Sequence, residues 1–296
     1  MSAPVVVGYT ATKAGSDALA LATRLARASG AELHSVIVLP ADTRSVITPP
    51  KSGYDRYLQD QADAWLADAV ADLPAGLSHA EHVRYADSFG EGLLQASHEV
   101  GAGHLVVGGA DGSLRGRHRV GTTAAELVHT ADVPVVLVPR GARKTPLSAG
   151  IPRLTVALGT RPGADEVMAE AVRLATDTGA RVRLLSLVTV DLPATVDTGV
   201  IRVAGAAHAQ DVLARAQSSL PADIDSRVVV GDGDSIEEAV AALDWEPGEL
   251  VLVGSSRLAQ PKRLFLGSTA TKMLRELPVP MMVVPRSRAA EGGDPS

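Results

Sequence analysis

A chain of 296 residues, 46% hydrophobic but only 3% aromatic, builds its cores from Ala, Val and Leu, and its length suits two domains of ordinary size. The formal net charge of −6 excludes a general attraction to nucleic acid or anionic membrane, so any basic site must be local. The absence of cysteine rules out disulfides, iron–sulfur clusters, thiol catalysis and cysteine-bound zinc, and no apolar run approaches the roughly eighteen residues of a membrane span; with no charged leader, a soluble cytoplasmic protein is expected.

The chain opens on a strand, Pro4 to Tyr9, followed by a turn and a helix to about Ser29 with Leu19, Ala22, Leu25 and Ala26 on one face. Gly30 stands where helices end. Strands are expected at Glu32 to Leu39 and His79 to Tyr85, separated by a proline-rich loop, Pro40 to Gly53, and a helix from about Tyr54 to Leu73. A helix from about Gly90 to Val100 leads to the apolar run that begins at Leu105.

From Leu105 to Pro139 an apolar run, a glycine-rich basic loop, a helix start and a second apolar run follow one another. The same punctuation returns from Val251 to Pro285: Gly108 answers to Gly254, Gly121 to Gly267, Thr122 to Ser268, Pro134 to Pro280 and Pro139 to Pro285, each 146 positions apart. Earlier elements repeat at an offset of 149. A strand at Leu154 to Leu158 precedes a helix from about Ala164 to Thr178, stopped by Gly179; then come strand Arg181 to Val190, loop Asp191 to Gly199, helix Val203 to Leu220, strand Ile224 to Val230 and helix Ser235 to Leu243. The chain is therefore a duplication. Arg140 to Gly150 reads as a linker and Ser287 to Ser296 as a disordered polar tail.

Strands alternating with helices five times per half predict a parallel sheet covered on both faces. In such sheets ligands bind beyond the carboxyl ends of the strands, where the strand order reverses. With the order 3-2-1-4-5, the turn after the first strand and the glycine loop after the fourth flank that crevice. A helix N-terminus carries unpaired N–H groups and partial positive charge. Each glycine loop delivers such a terminus together with glycine, a hydroxyl expected at the N-cap, and cations: Arg115, Arg117, His118 and Arg119 in the first half, Arg257, Lys262 and Arg263 in the second. Polyphosphate suits that chemistry.

Other motifs carry less. Val228 to Val240 imitates a dinucleotide fingerprint, but Ile236 replaces the third glycine, which leaves a tight turn with Asp234 or Ser235 capping a helix; Asp87-Ser88 is its counterpart. No P-loop sequence is present. His79 and His82 point to opposite faces of a strand, so they make no metal site, and His34, His98, His104, His129 and His208 show no partner pattern. No catalytic residue emerges.

A five-stranded α/β domain whose fourth strand ends in glycine, whose last helix starts with Gly-Thr or Gly-Ser thirteen residues later, and whose final strand is led by proline resembles the universal stress proteins. The resemblance covers both halves and implies the tandem form: two Rossmann-like domains, residues 1–140 and 151–286, each a five-stranded parallel sheet with helices on both faces, of the flavodoxin-like or adenine-nucleotide α-hydrolase-like kind. It implies ATP, with or without Mg²⁺, held by Gly108, Gly121, Thr122 and Thr123 in one half and by Gly254, Gly267, Ser268 and Thr269 in the other. Adenine would rest on Tyr9, Val38 and Val107, or on Leu158, Leu187 and Val253. The middle glycine of the family pattern is replaced by Asp111, with Gly112 one place late, and by Arg257; the strand-one aspartate is replaced by Thr10 and Gly159. Losing a charged-group hydrogen bond costs roughly 1.5–3 kcal/mol, about tenfold to hundredfold in affinity, so weakened or one-sided binding is expected.

The resemblance also implies pairing through the fifth-strand edges, Val135 to Val138 and Met281 to Val284, and with it a homodimer of tandem chains. The function expected is a nucleotide-binding stress sensor or regulator without turnover. A nucleotide-free interaction module and a slow hydrolase or transferase remain as alternatives.

Overall fold

The computed structural model describes residues 2–41, 52–109, 121–158, 164–189, 199–255 and 266–285. The first half runs β1 (Val5–Gly8), α1 (Lys13–Ser29), β2 (Leu33–Pro40), α2 (Ser52–Val70), β3 (His79–Ala86), α3 (Phe89–Val100), β4 (His104–Gly108), α4 (Thr122–Thr130) and β5 (Val135–Val138). The second repeats it as β6 (Arg153–Ala157), α5 (Ala164–Thr178), β7 (Arg181–Thr189), α6 (Gly199–Ser218), β8 (Ser226–Gly233), α7 (Ile236–Ala241), β9 (Leu250–Gly254), α8 (Ser268–Glu276) and β10 (Met281–Val284).

Local chemistry fixes the boundaries. The Thr12 hydroxyl caps α1 by accepting from Gly15 N, and Gly30 ends the helix at φ 67, a left-handed conformation that costs glycine nothing. Gly179 has φ 71 just beyond α5. Ser88 caps α3 and Ser235 caps α7, where the Glu238 carboxylate also accepts from Asp234 N, the residue before the cap. The caps of α4 and α8 differ from expectation. The N-cap is the glycine, Gly121 or Gly267, with no side-chain bond, and Thr122 and Ser268 stand one place inside the helix.

Among the described residues ten strands form one sheet, in the order β3-β2-β1-β4-β5-β10-β9-β6-β7-β8. Each half has the order 3-2-1-4-5, parallel throughout, and the halves join where β5 meets β10 antiparallel. Val136 pairs with Met282, its own duplicate position, so a pseudo-twofold axis passes between them. One layer of core packs α1, α2, α5 and α6 on one face; the other packs α3, α4, α7 and α8 on the opposite face.

This arrangement bears out the pairing of the two halves through their fifth-strand edges, Val135 to Val138 and Met281 to Val284, and corrects only the use of those edges between two chains. The edges of β5 and β10 are consumed by each other within the chain, each strand already having its parallel neighbour on the other side. They are therefore not free to join two chains, and a homodimer would need another surface. Residues 140–150, read as a plain linker, carry two short 3-10 turns, Ala142–Lys144 and Leu147–Ala149. The tail at 287–296 and most of both long loops lie outside the described residues.

Candidate functional site

β1 lies between β2 and β4, and the connections from β1 and β4 leave in opposite directions, which puts the topological switch point at the carboxyl ends of those two strands. Val7 pairs with Val106, so Tyr9 and Thr10 stand level with Gly108 and the residue after it. The second half repeats this with Ala157 beside Val253 and Leu158 beside Gly254.

The first turn of α1 lies directly on these strand ends. A Cβ on Gly108 would collide with the Ala14 carbonyl oxygen, and one on Gly15 with the Thr10 carbonyl oxygen. Both positions are closed to larger residues because backbone, not a movable side chain, occupies the space. Across the crevice stand the N-termini of α4 and α8. Gly121 (φ −79, ψ 173) and Gly267 (φ −68, ψ 166) are extended and bring no capping side chain. Thr122, Ser268 and Thr269 are exposed and Thr123 half-buried, so the first turn of each helix is accessible. Such a terminus binds anions.

The apolar residues assigned to adenine do not form one wall. Side chains alternate along a strand, and Tyr9 and Leu158 belong to the α1/α5 core layer, whereas Val107 and Val253 belong to the opposite layer, with Val38 and Leu187 packed against it. Val107, Val253 and Leu158 are buried as ordinary core. Val38 and Leu187 stay half-buried, Val38 against Gly92 and Leu187 against Gly231. Burial pushes the Tyr9 phenol above its usual pKa; a hydrogen bond with Ser16 opposes this and the Asp68 carboxylate adds to it. The Thr10 hydroxyl is engaged 2.9 Å from that of Thr12. Gly159, Asp111, Gly112, the basic residues 115–119, Arg257, Lys262 and Arg263 lie outside the described residues.

The polar clusters that sequence reasoning missed sit at the other ends of the strands. His34 Nδ1 and His82 Nε2 are 2.8 Å apart, their rings nearly parallel at 11° and their centroids 5.1 Å apart. The two ring nitrogens are within hydrogen-bond distance, with the donor set by the tautomer. Among the described residues no group of three or more His, Cys, Asp or Glu could hold a metal ion. His104, buried at the start of β4, reaches Glu170 of α5 at 2.7 Å, and Arg173 grips the same carboxylate at 2.6 Å. At the foot of the second half, Arg153, Arg183 and Thr155 surround the buried Glu249. The signal available in the sequence was asymmetry: Glu249 stands where the first half has Gly103, and Arg183 where it has His34.

Because β5 and β10 run antiparallel, the two switch-point crevices open at opposite ends of the sheet. Four strand spacings separate them, about 19 Å across the sheet. Each presents N–H groups, hydroxyls and a helix dipole, which can bind and orient an anion.

The profile of the universal stress protein family matches residues 1–139 and again residues 150–285. A universal stress protein of Mycobacterium tuberculosis and one of Mycobacterium bovis are each 30% identical over 299 residues, covering 95% of this chain and 99% of theirs. Among solved structures, a universal stress protein from Archaeoglobus fulgidus superposes with a TM-score of 0.69 at 17% identity, covering 97% of this chain and all of that one. A putative universal stress protein from Pseudomonas aeruginosa gives 0.60 at 14% identity, covering 96% of this chain and 93% of that one. No described helix is long and apolar enough to cross a membrane.

Proposed function

The chain belongs to the universal stress protein family, and from that premise we propose that it binds an adenine nucleotide, ATP with Mg²⁺, at the switch-point crevice of at least one half and acts as a sensor or regulator without turnover. One observation carries this reading: at the carboxyl ends of β4 and β9, α4 and α8 begin on bare glycines with accessible hydroxyls in their first turns. The donors at that point are N–H and hydroxyl groups. Such donors suit phosphate oxygens, and among the described residues at these helix starts none is a carboxylate or imidazole base, which supports the reading of binding without turnover.

The second reading, a nucleotide-free interaction module, is favoured by the divided apolar wall and by the Thr10 hydroxyl being tied to Thr12. Calorimetric titration of the whole chain with ATP, ADP and AMP in Mg²⁺ separates the two. The proposal expects saturable heat with a stoichiometry of one or two and no phosphate release over hours. No heat at millimolar nucleotide would leave the interaction module, and steady phosphate release would make the protein a hydrolase.

A further inference from the structure

A cleft of about 590 Å³ lies between the two halves, away from the carboxyl ends of β1 and β4. The first half lines it with residues that lead into β1, β4 and β5, among them Ala3, Ala102, Val133 and Pro134, all half-buried. The second half supplies Glu170, Arg173 and Asp177 from α5, and Asp132 of the first half adds a further carboxylate. Pockets between domains that combine apolar surface with a few convergent polar groups are where small molecules bind.

The charges in the cleft are unequally engaged. Glu170 is well served: His104 Nε2 lies 2.7 Å from Oε1, and Arg173 donates to both oxygens, at 2.6 and 3.1 Å. That fork occupies Nε and Nη2 of Arg173. Its Nη1 is 3.7 Å from Asp177 Oδ2, beyond hydrogen-bond length. The Ser2 hydroxyl lies 3.2 Å from the same Asp177 oxygen but 2.7 Å from Ser29 O, and a hydroxyl has one proton to give, so the shorter contact takes it. Arg173 Nη1 and Asp177 are thus a donor and an acceptor held side by side and loosely matched, on side chains 37% and 26% exposed. Asp132, at the rim, meets His98 through Oδ1 at 2.7 Å.

The duplication shows that the fold itself does not call for these carboxylates. At the 149 offset Glu170 answers to Leu21, Arg173 to Arg24 and Asp177 to Ala28, and at 146 Asp132 answers to Pro278. In the first half, where residues 140–150 pack on α1, the corresponding positions carry no acid, and Arg24 is buried, 1% exposed. The same scaffold is therefore built with no acid at these three places on one side and with three on the other, where its arginine reaches the surface.

We propose that this cleft binds a free basic α-amino acid. Such a ligand carries an ammonium and a carboxylate on one carbon, which is the pairing that Asp177 and Arg173 Nη1 present in reverse. Its ammonium would sit on Asp177 and its carboxylate on Arg173, with the methylene stem along Ala102, Val133 and Pro134 and the terminal cation towards Asp132. Three carboxylates against one guanidinium favour a ligand of net positive charge. The ligand touches both halves and leaves both nucleotide crevices free.

Calorimetric titration of the full chain with L-lysine and L-arginine, and with L-norleucine and cadaverine as analogues, tests this. Norleucine lacks the terminal cation of lysine and cadaverine lacks its carboxylate. The proposal expects one-to-one binding of lysine or arginine, at least tenfold tighter than either analogue. Asp177→Asn should weaken it at least tenfold, whereas Asp60→Asn, on the exposed side of α2, should leave it unchanged. Arg173→Gln should erase the preference for lysine over cadaverine, a readout that loosened packing alone does not move. No saturable heat from either amino acid at millimolar concentration would overturn the proposal. So would cadaverine or norleucine binding as tightly as lysine, which would reduce the cleft to a merely acidic or apolar surface, and so would affinity or preference that survives the Asp177 and Arg173 substitutions.

Discussion

Arg183 and Glu249 meet at 2.7 Å with neither side chain exposed, at the amino ends of β7 and β9. Arg153 reaches the same carboxylate at 2.5 Å, Thr155 donates to it, and the Trp245 ring lies 4.6 Å from the Arg183 guanidinium. A buried pair of this kind is a weak source of net stability but a severe loss when halved, because an uncompensated charge remains. Glu249→Leu should therefore cost about 3–5 kcal/mol in urea unfolding. Adding Arg183→Met should recover part of that loss; a double variant less stable than the single would contradict this.

Asp244 closes the same network at its exposed side. Burial alone would raise its carboxyl, but hydrogen bonds from Arg153 and Arg227 and the charges of Arg153 and Arg183 outweigh that and hold it at about 2, below the ordinary 3.8. A depressed carboxyl contributes stability above its unfolded pKa and loses it as pH falls through the folded one. The window is pH 4 to 2. Asp244→Asn should flatten the stability profile there and leave its slope between pH 6 and 8 unchanged, as measured by urea midpoints along the series.

Arg24 is the reverse case. The residue is 1% exposed, Nε and Nη1 have no hydrogen-bond partner among the described residues, and burial lowers its pKa to about 10 from 12.5. A base with a depressed folded pKa has its stability contribution above the unfolded value, so at neutral pH it is a penalty, of order 3 kcal/mol. Its duplicate, Arg173, has Glu170 beside it, whereas Arg24 has Leu21 at that position. Arg24→Met keeps most of the packed stem and should raise stability by about 1–3 kcal/mol. A loss in the urea midpoint would contradict the account.

Much of the architecture was legible because the duplication repeats its punctuation. Glycine at 30 and 179, proline at 134 and 280, and the alternation of apolar runs fixed the elements and left the 3-2-1-4-5 order as the natural reading. What escaped depends on contacts between distant positions. Arg183 looks solvated in a strand until Glu249, 66 residues away, is folded beneath it. His34 and His82 are partners across β2 and β3 although 48 positions apart. The hydroxyls of Thr122 and Ser268 suggested caps because N-caps favour them. The structure instead shifts each helix start by one, and that leaves its leading N–H groups for a ligand. The split between Tyr9 and Val107 follows from strand alternation and could have been read from register alone.

Gly108 limits the floor of the first crevice. Gly108→Ala would press a methyl group against the Ala14 backbone, which cannot turn aside. The expected cost is about 1–3 kcal/mol, with displacement of the α1 start visible as faster hydrogen exchange at 13–16. Alanine at this position without any change in midpoint would show that the strand end and α1 are less closely apposed than described.

The nucleotide reading is tested most directly by thermal unfolding with ATP and Mg²⁺ on the wild type, Gly121→Asp and Gly267→Asp. Both glycines are extended, a conformation aspartate adopts readily, and an aspartate there caps the helix while repelling phosphate. The unliganded proteins should therefore be as stable as the wild type or slightly more so. ATP at one hundred times its dissociation constant should stabilise the wild type by about 2.7 kcal/mol, and one substitution should abolish that gain and identify the binding half. No shift for the wild type at millimolar ATP, or a shift that survives both substitutions together, would contradict nucleotide binding at these helix starts.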